Sequence, residues 1–187
     1  MSGIQFMHAE GYSRNGSKLK GAKGVKKGEK RKQATGGWSA RQILSEVLRE
    51  PESCRHVQHP QPPMSVYGNM EALVAGIVSI PDKRKGIRGD TPIMLTGIAS
   101  APWPPGDERS VKWHKDVVEH LLKKFGDDLK VIVAHVDEPH DHLHFYIALH
   151  DYQPIKGIHP GMKMRDETKA AGGTDAEINK AYKDAMI

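Results

Sequence analysis

Residues 135–144 read His-Val-Asp-Glu-Pro-His-Asp-His-Leu-His, four histidines and three carboxylates in ten positions. Cys54 is the only cysteine, so an internal disulfide and a thiolate cluster are both excluded, and any metal must be held by His, Asp or Glu. An apolar run over 129–134 leads into the segment and Phe145 to Leu149 leads out, the pattern of two strands around a tight polar turn. Side chains on a strand alternate between faces, so His142 and His144 share one. An antiparallel hairpin brings His135 beside them, and three imidazoles then converge on a point that a divalent ion could occupy. Neutral imidazole suits Mn, Fe, Co, Ni or Zn, and a nearby carboxylate admits Mg or Mn. Three nitrogen ligands leave positions open for a phosphate oxygen, and an ion held that way orients a phosphodiester for in-line attack. Glu138, in the turn, could ligate, act through water or serve as a general base. Asp137 is expected on the opposite side. His140 has the right parity, but Pro139 splays it toward a supporting role. His114, His120, His150 and His159 read as surface or satisfied core residues.

The elements that must carry this cluster follow from periodicity. Residues 3–8 read as a first strand with Ile4, Phe6 and His8 on one face, and Gly11 is expected to end regular pairing. Residues 39–50 read as a helix capped by Ser39, with Ile43, Leu44, Val47 and Leu48 as its apolar stripe and Pro51 as its stop. Glu46 and Arg49 stand three apart on its polar face, ordinarily a surface ion pair. Residues 54–68 carry His56, His59, Pro60, Pro62 and Pro63 and read as extended or looped. Residues 69–80 have helical spacing, 92–100 read as a strand interrupted by Gly97, and 110–125 as an amphipathic helix capped by Ser110. Its inner stripe runs through Val111, His114, Val117, Val118, Leu121, Leu122 and Phe125. Residues 163–169 are a polar basic stretch. Thr174 and Glu177 have capping-box spacing at the head of a last helix. Mixed order with an adjacent hairpin predicts an α+β fold, an antiparallel-rich sheet with helices packed on one face and the histidines on the other, open face.

At 187 residues one domain over 1–187 is expected. Because the chain stops inside a helix, it reads either as an N-terminal part of something longer or as a short protein ending in a frayed helix. No window approaches the roughly 18 apolar residues of a membrane span, and no signal peptide is seen, so a cytoplasmic protein without membrane insertion is expected. The net charge of +5 is mild, but nine of the basic residues fall between Arg14 and Lys32 against one acid, Glu29. With its glycines, the 14–37 segment reads as a mobile basic loop. Arg14, Lys18, Lys20, Lys23, Lys26 and Lys27 are its candidate phosphate contacts; a merely solvated linker is the plainer reading.

His135-x-Asp137-Glu138 followed by His142-x-His144 resembles the third motif of the Mob/Pre (MobV-type) plasmid mobilisation relaxases, His-x-Asp-Glu-x-x-Pro-His-x-His. The spacing matches, although proline stands at 139 and Asp141 precedes the histidine pair. The similarity spans roughly residues 90–170, and the earlier part only weakly. The resemblance implies a histidine-hydrophobe-histidine (HUH) nuclease fold with a five-stranded antiparallel sheet and a domain that nicks a transfer origin at one site on one strand, remaining covalently on the 5′ phosphate. It implies His135, His142 and His144 as ligands of Mn or Mg and Glu138 as accessory ligand or base. Plasmid DNA, single-stranded at the nick, is the implied substrate, with relaxosome accessory proteins and a coupling protein as partners.

This chain departs from the family at the nucleophile. Many members have His-x-x-Arg at the end of the first helix, where Glu46-x-x-Arg49 stands here, and glutamate is a poor phosphodiester nucleophile. Arg49 keeps the place of a DNA-contacting arginine. Better nucleophiles lie in His8-x-x-x-Tyr12-x-Arg14: a tyrosine forms a phosphodiester link that resists water yet reverses, so Tyr12 is preferred over His8, with Arg14 on a phosphate oxygen. Against Tyr12 stands the plain role of a packing aromatic. The same parts would serve a rolling-circle replication initiator. A metal-dependent phosphoesterase or a non-catalytic nucleic-acid-binding module would use some of them.

Overall fold

In the computed structural model, which describes residues 6–16, 37–81, 87–155 and 158–185, five strands form one sheet in the order β1-β3-β5-β4-β2 with every neighbouring pair antiparallel. The strands are β1 (Phe6–Ser13), β2 (Met64–Gly68), β3 (Pro92–Ser100), β4 (Leu129–His135) and β5 (His142–Ile147). The helices are α1 (Ala40–Val47), α2 (Met70–Ser79), α3 (Glu108–Phe125), α4 (Pro160–Ala170) and α5 (Asp175–Asp184). The α+β class and the antiparallel sheet are as expected. Most of the 14–37 segment, including Lys18, Lys20, Lys23, Lys26 and Lys27, lies outside the described residues, as does the start of the first expected strand. Among the described residues no helix is long and apolar enough to cross a membrane.

Helices cover both faces of the sheet, not one. Leu95, Ala99, Ile132, Leu143, Phe145 and Ile147 pack under Trp113, Val117 and Leu121 of α3. On the other face Met94, Val131, Val133 and Tyr146 pack under Leu44 and Val47 of α1 and Leu73 and Ile77 of α2. The reason lies in β4: its run Val131-Ile132-Val133 is apolar at consecutive positions, and a strand that is apolar on both faces must be covered on both. The histidines share their parity with Val131, Val133 and Tyr146, so they lie beside a helix-covered patch rather than on an open surface.

Local details correct several expectations. The α3 cap is Asp107, whose carboxylate accepts from the Arg109 amide, so the helix starts earlier and buries Ser110, Trp113, Val117 and Leu121 while Val111 is 62% exposed. The Ser39 and Thr174 caps, each a full capping box, form as expected. The proline-rich 54–68 segment hides β2, which pairs with the outer edge of β4 through a bulge, and the basic stretch 163–169 is part of α4.

Gly97 does not interrupt β3. It sits opposite Ala9 and Phe145, and a Cβ there would lie 2.1 Å from the His8 carbonyl and 2.4 Å from the Phe145 ring. Glycine is therefore what lets β1 close on β3. Gly97→Ala is expected to destabilise the protein by about 2 kcal/mol or more through overpacking, read as a lower urea midpoint. An unchanged midpoint would show that the strands can part without cost.

Candidate functional site

The β4–β5 hairpin pairs His135 with His142, and Val133 with His144. Parity and register thus place three imidazoles together, and burial finishes the arrangement: His135 is 1% exposed, His142 6% and His144 8%. Ring centroids are 4.8 Å apart for His135–His144, 5.1 Å for His142–His144 and 5.7 Å for His135–His142. The Nδ1 of His142 lies 2.9 Å from the His140 carbonyl. A carbonyl only accepts, so Nδ1 carries a proton, and Nε2 is the nitrogen turned toward Glu138. His140 itself is exposed and contributes through that backbone oxygen. Among the described residues neither ring nitrogen of His135 has a hydrogen-bond partner, although both are buried.

Burial first, then the charges of Arg49 and His142, push His135 down to about 4. His144 is held well below its usual range by burial and by the two other histidines. Both are therefore neutral near pH 7, the state that can ligate. Among the described residues no group of three or more His, Cys, Asp or Glu side chains is arranged so that it could hold a metal ion as it stands. The donor chemistry nevertheless fits one. An imidazole bound at about 2.1 Å puts its centroid roughly 3.3 Å from the ion, so ligands at octahedral to tetrahedral angles have centroids roughly 4.6–5.3 Å apart. Two of the three separations fall in that interval and the third is slightly longer. The two orphaned nitrogens of His135 are the clearest sign of a missing partner.

Arg49 is the second centre. Its guanidinium is buried: Nε donates to Asp137 Oδ2 at 2.9 Å, Nη2 to Asp137 Oδ1 and to Glu138 Oε1 at 2.7 Å each, and Nη1 to Glu46 Oε1 at 3.0 Å. Four of its five N–H groups are thereby used within the protein, which turns the expected DNA contact into an internal cation. Asp137, expected to point away, faces inward, also accepts from the Gln61 amide and lies 3.9 Å from His135 Nδ1. Glu138 Oε1 is 3.7 Å from His142 Nε2, at the edge of the cluster as expected. Arg49 has φ 58°. The Glu50 amide bonds the Ser45 carbonyl and the Arg49 amide that of Glu46, a Schellman ending of α1 with arginine where glycine is usual.

On the same face, in register, His8 pairs with Ile98 and Ile98 with His144. Pairing in β1 continues through Gly11, contrary to expectation, so His8, Glu10 and Tyr12 stand at alternate positions of one strand. The Tyr12 hydroxyl donates to Glu10 Oε2 at 2.9 Å and His8 Nε2 lies 3.2 Å from Glu10 Oε1, so one carboxylate joins the two candidate nucleophiles. Burial, then the Glu10 bond and charge, raise the Tyr12 phenol. It therefore needs a base, and Glu10 is placed to be one. A cleft of about 550 Å³ is lined by His8, Glu10, Tyr12, Glu46, His56 and His144 among others. Arg14 is not among its lining residues; it donates to the Ile80 carbonyl at 3.0 Å and to that of Pro81.

Sequence alone leaves open whether His56 reaches the site and does not place Glu10 or Glu46 there. Glu10 shares the parity of His8 and Tyr12, a signal that Gly11 obscures by looking like a strand end. Glu46 and His56, 3.6 Å apart, are brought to the cleft by tertiary packing alone. Burial raises the Glu46 carboxyl, against the opposing charges of Arg49 and His56. Compared with known proteins, the chain finds no significant match to any family model, curated protein or solved structure.

Proposed function

We propose that this domain is a metal-dependent DNA relaxase of the Mob/Pre type. It nicks and rejoins one strand at a plasmid transfer origin through a covalent protein–DNA intermediate. The reading rests on one observation above all: the face carrying three clustered histidines also carries, across a cleft that His144 lines, two nucleophile candidates joined by a carboxylate. His135, His142 and His144 would hold Mn or Mg, with Glu138 as accessory ligand positioned by Arg49. The bound ion would supply charge stabilisation to a phosphodiester.

The chain's own residues do the rest. The Tyr12 oxygen attacks phosphorus, its proton passes to Glu10, an oxygen–phosphorus bond forms, and the bond from phosphorus to the 3′ oxygen breaks. The 5′ phosphate stays on the protein, and the leaving 3′ oxygen takes up a proton to become a hydroxyl. His8, hydrogen-bonded to the same carboxylate, orients Glu10 or takes the attacking role itself. The basic 14–37 segment supplies the salt-sensitive grip on the phosphate backbone. Relaxosome accessory proteins and a coupling protein are the partners that follow, in the cytoplasm where plasmid DNA lies.

With Mn and labelled single-stranded oligonucleotides spanning transfer and replication origins, wild type is expected to form a denaturation-resistant adduct at a transfer origin. Tyr12→Phe should abolish it and His8→Ala should leave it detectable. Loss in His8→Ala alone moves the nucleophile to His8. Adducts only at replication origins make the domain an initiator, and phosphoester hydrolysis with no adduct on any DNA overturns the relaxase reading.

A further inference from the structure

In-line displacement needs the nucleophile and the leaving oxygen on opposite sides of phosphorus. The sheet order fixes those sides. β1, with Tyr12 and His8, is one edge; β5 and β4, with the three histidines, are central; and the 50–63 loop leads into β2 at the other edge. A phosphate over the histidines and attacked from β1 therefore expels its 3′ oxygen toward that loop.

At that end a second cleft of about 640 Å³ lies between loop residues 56–61 and the turn 136–139, its wall including His59 and Glu138. Among the described residues His56 alone lines both this cleft and the cleft of Tyr12 and His144. Its Nε2 lies 3.6 Å from Glu46 Oε1, and its side chain is 58% exposed. It is thus open to solvent while the partly buried Glu46 carboxyl faces its ring nitrogen. The loop is itself fixed, by the Gln61 amide on Asp137 and by the burial of Cys54 and Val57.

Resting on the relaxase reading, we propose that His56 is the general acid of the nicking step and the general base of rejoining. As the bond from phosphorus to the 3′ oxygen breaks, the His56 imidazolium gives its proton to that oxygen, leaving a neutral imidazole and a 3′ hydroxyl. In rejoining, neutral His56 takes the proton back as the hydroxyl attacks and the Tyr12 oxygen leaves, reclaiming its own proton from Glu10. Two adjacent clefts joined at His56 give the strand a bed on either side of the broken bond.

The test changes the leaving group. A pool of single-stranded DNA with Mn yields the oligonucleotide that wild type captures, and the mapped nick is then synthesised with sulfur in place of the 3′ bridging oxygen. A thiolate leaves without a proton, so it does not need the acid. His56→Ala is expected to slow adduct formation about 100-fold on the oxygen substrate and to stay within about threefold of wild type on the sulfur substrate. Equal loss on both substrates, or no loss on oxygen, overturns the role of His56 while leaving the relaxase reading intact. Failure of wild type to capture any DNA overturns both. Cleavage of the sulfur substrate also shows that the variant is folded.

Discussion

His135→Leu is expected to yield a protein that is more stable than wild type in chelator and inactive. His135 is 1% exposed, on a central strand, with neither nitrogen hydrogen-bonded. Each unsatisfied buried polar atom costs about 1–3 kcal/mol, and leucine is of similar volume and asks for no partner. A gain of about 1–2 kcal/mol at pH 7.5 follows, read from urea denaturation in EDTA. The gap widens in acid. His135 titrates near 4 when folded and near 6.5 when unfolded, so below pH 6.5 the unfolded chain binds the extra proton and wild type loses stability until the pH passes about 4. That loss amounts to about 3 kcal/mol, and it is absent from the variant, which keeps only the slope from groups such as His144, His159 and Asp137. Manganese reverses the order: at a hundredfold its dissociation constant it stabilises wild type by about 2.7 kcal/mol and leaves the variant unmoved. Nicking should fall at least about 1,000-fold, since a three-nitrogen site loses one donor. A variant less stable than wild type in EDTA would mean that the His135 ring is satisfied within the apoprotein, and the main sign of a metal site would be gone.

Arg49→Leu is expected to cost about 3–5 kcal/mol, because it strands a buried carboxylate, Asp137, together with the partly buried Glu46 and Glu138. Burial pushes the Asp137 carboxyl up, but the Arg49 bonds and the Gln61 amide more than offset this and hold it below its usual range. Arg49→Lys keeps the charge but cannot span both Asp137 oxygens and Glu138, and should fall between wild type and leucine. Arg49→Gly would relieve the left-handed backbone, worth about 1 kcal/mol, and still be a net loss. A urea series over the three variants checks the ranking. Salt separates this cation from the basic segment: DNA binding should fall steeply with ionic strength, whereas the Arg49 contribution, shielded from solvent, should barely change. If Arg49→Leu folds as well as wild type, the arginine belongs to DNA rather than to the fold.

How much of this was legible depended on the range of the interactions. The histidine trio was readable because it is local: a period of two places His142 with His144, and a tight hairpin puts His135 opposite His142. The caps at Ser39 and Thr174 were readable for the same reason. The two-sided cover of the sheet was written into Val131-Ile132-Val133, but the eye was drawn to the alternation in β5, which suggests an open face. β2 was masked by three prolines, each of which argues against a strand until an edge position is considered. The Arg49–Asp137 pair joins residues 88 apart, and nothing in either neighbourhood announces the other. His56 reached the cleft the same way, through a loop whose path is set by Asp137.

β1 lies at the border of the sheet and shares its ladder with β3 alone. A shift of such a strand by two residues would keep every side chain on its own face. One such step would set Glu10 where His8 now stands in line with His144, moving the Tyr12 oxygen by roughly 7 Å. The chemistry proposed for this domain is therefore as much a matter of where β1 is pinned as of which residues it carries. The pins are modest: a glycine that lets two backbones meet at position 97, and an irregularity in the ladder between Tyr12 and Ser13.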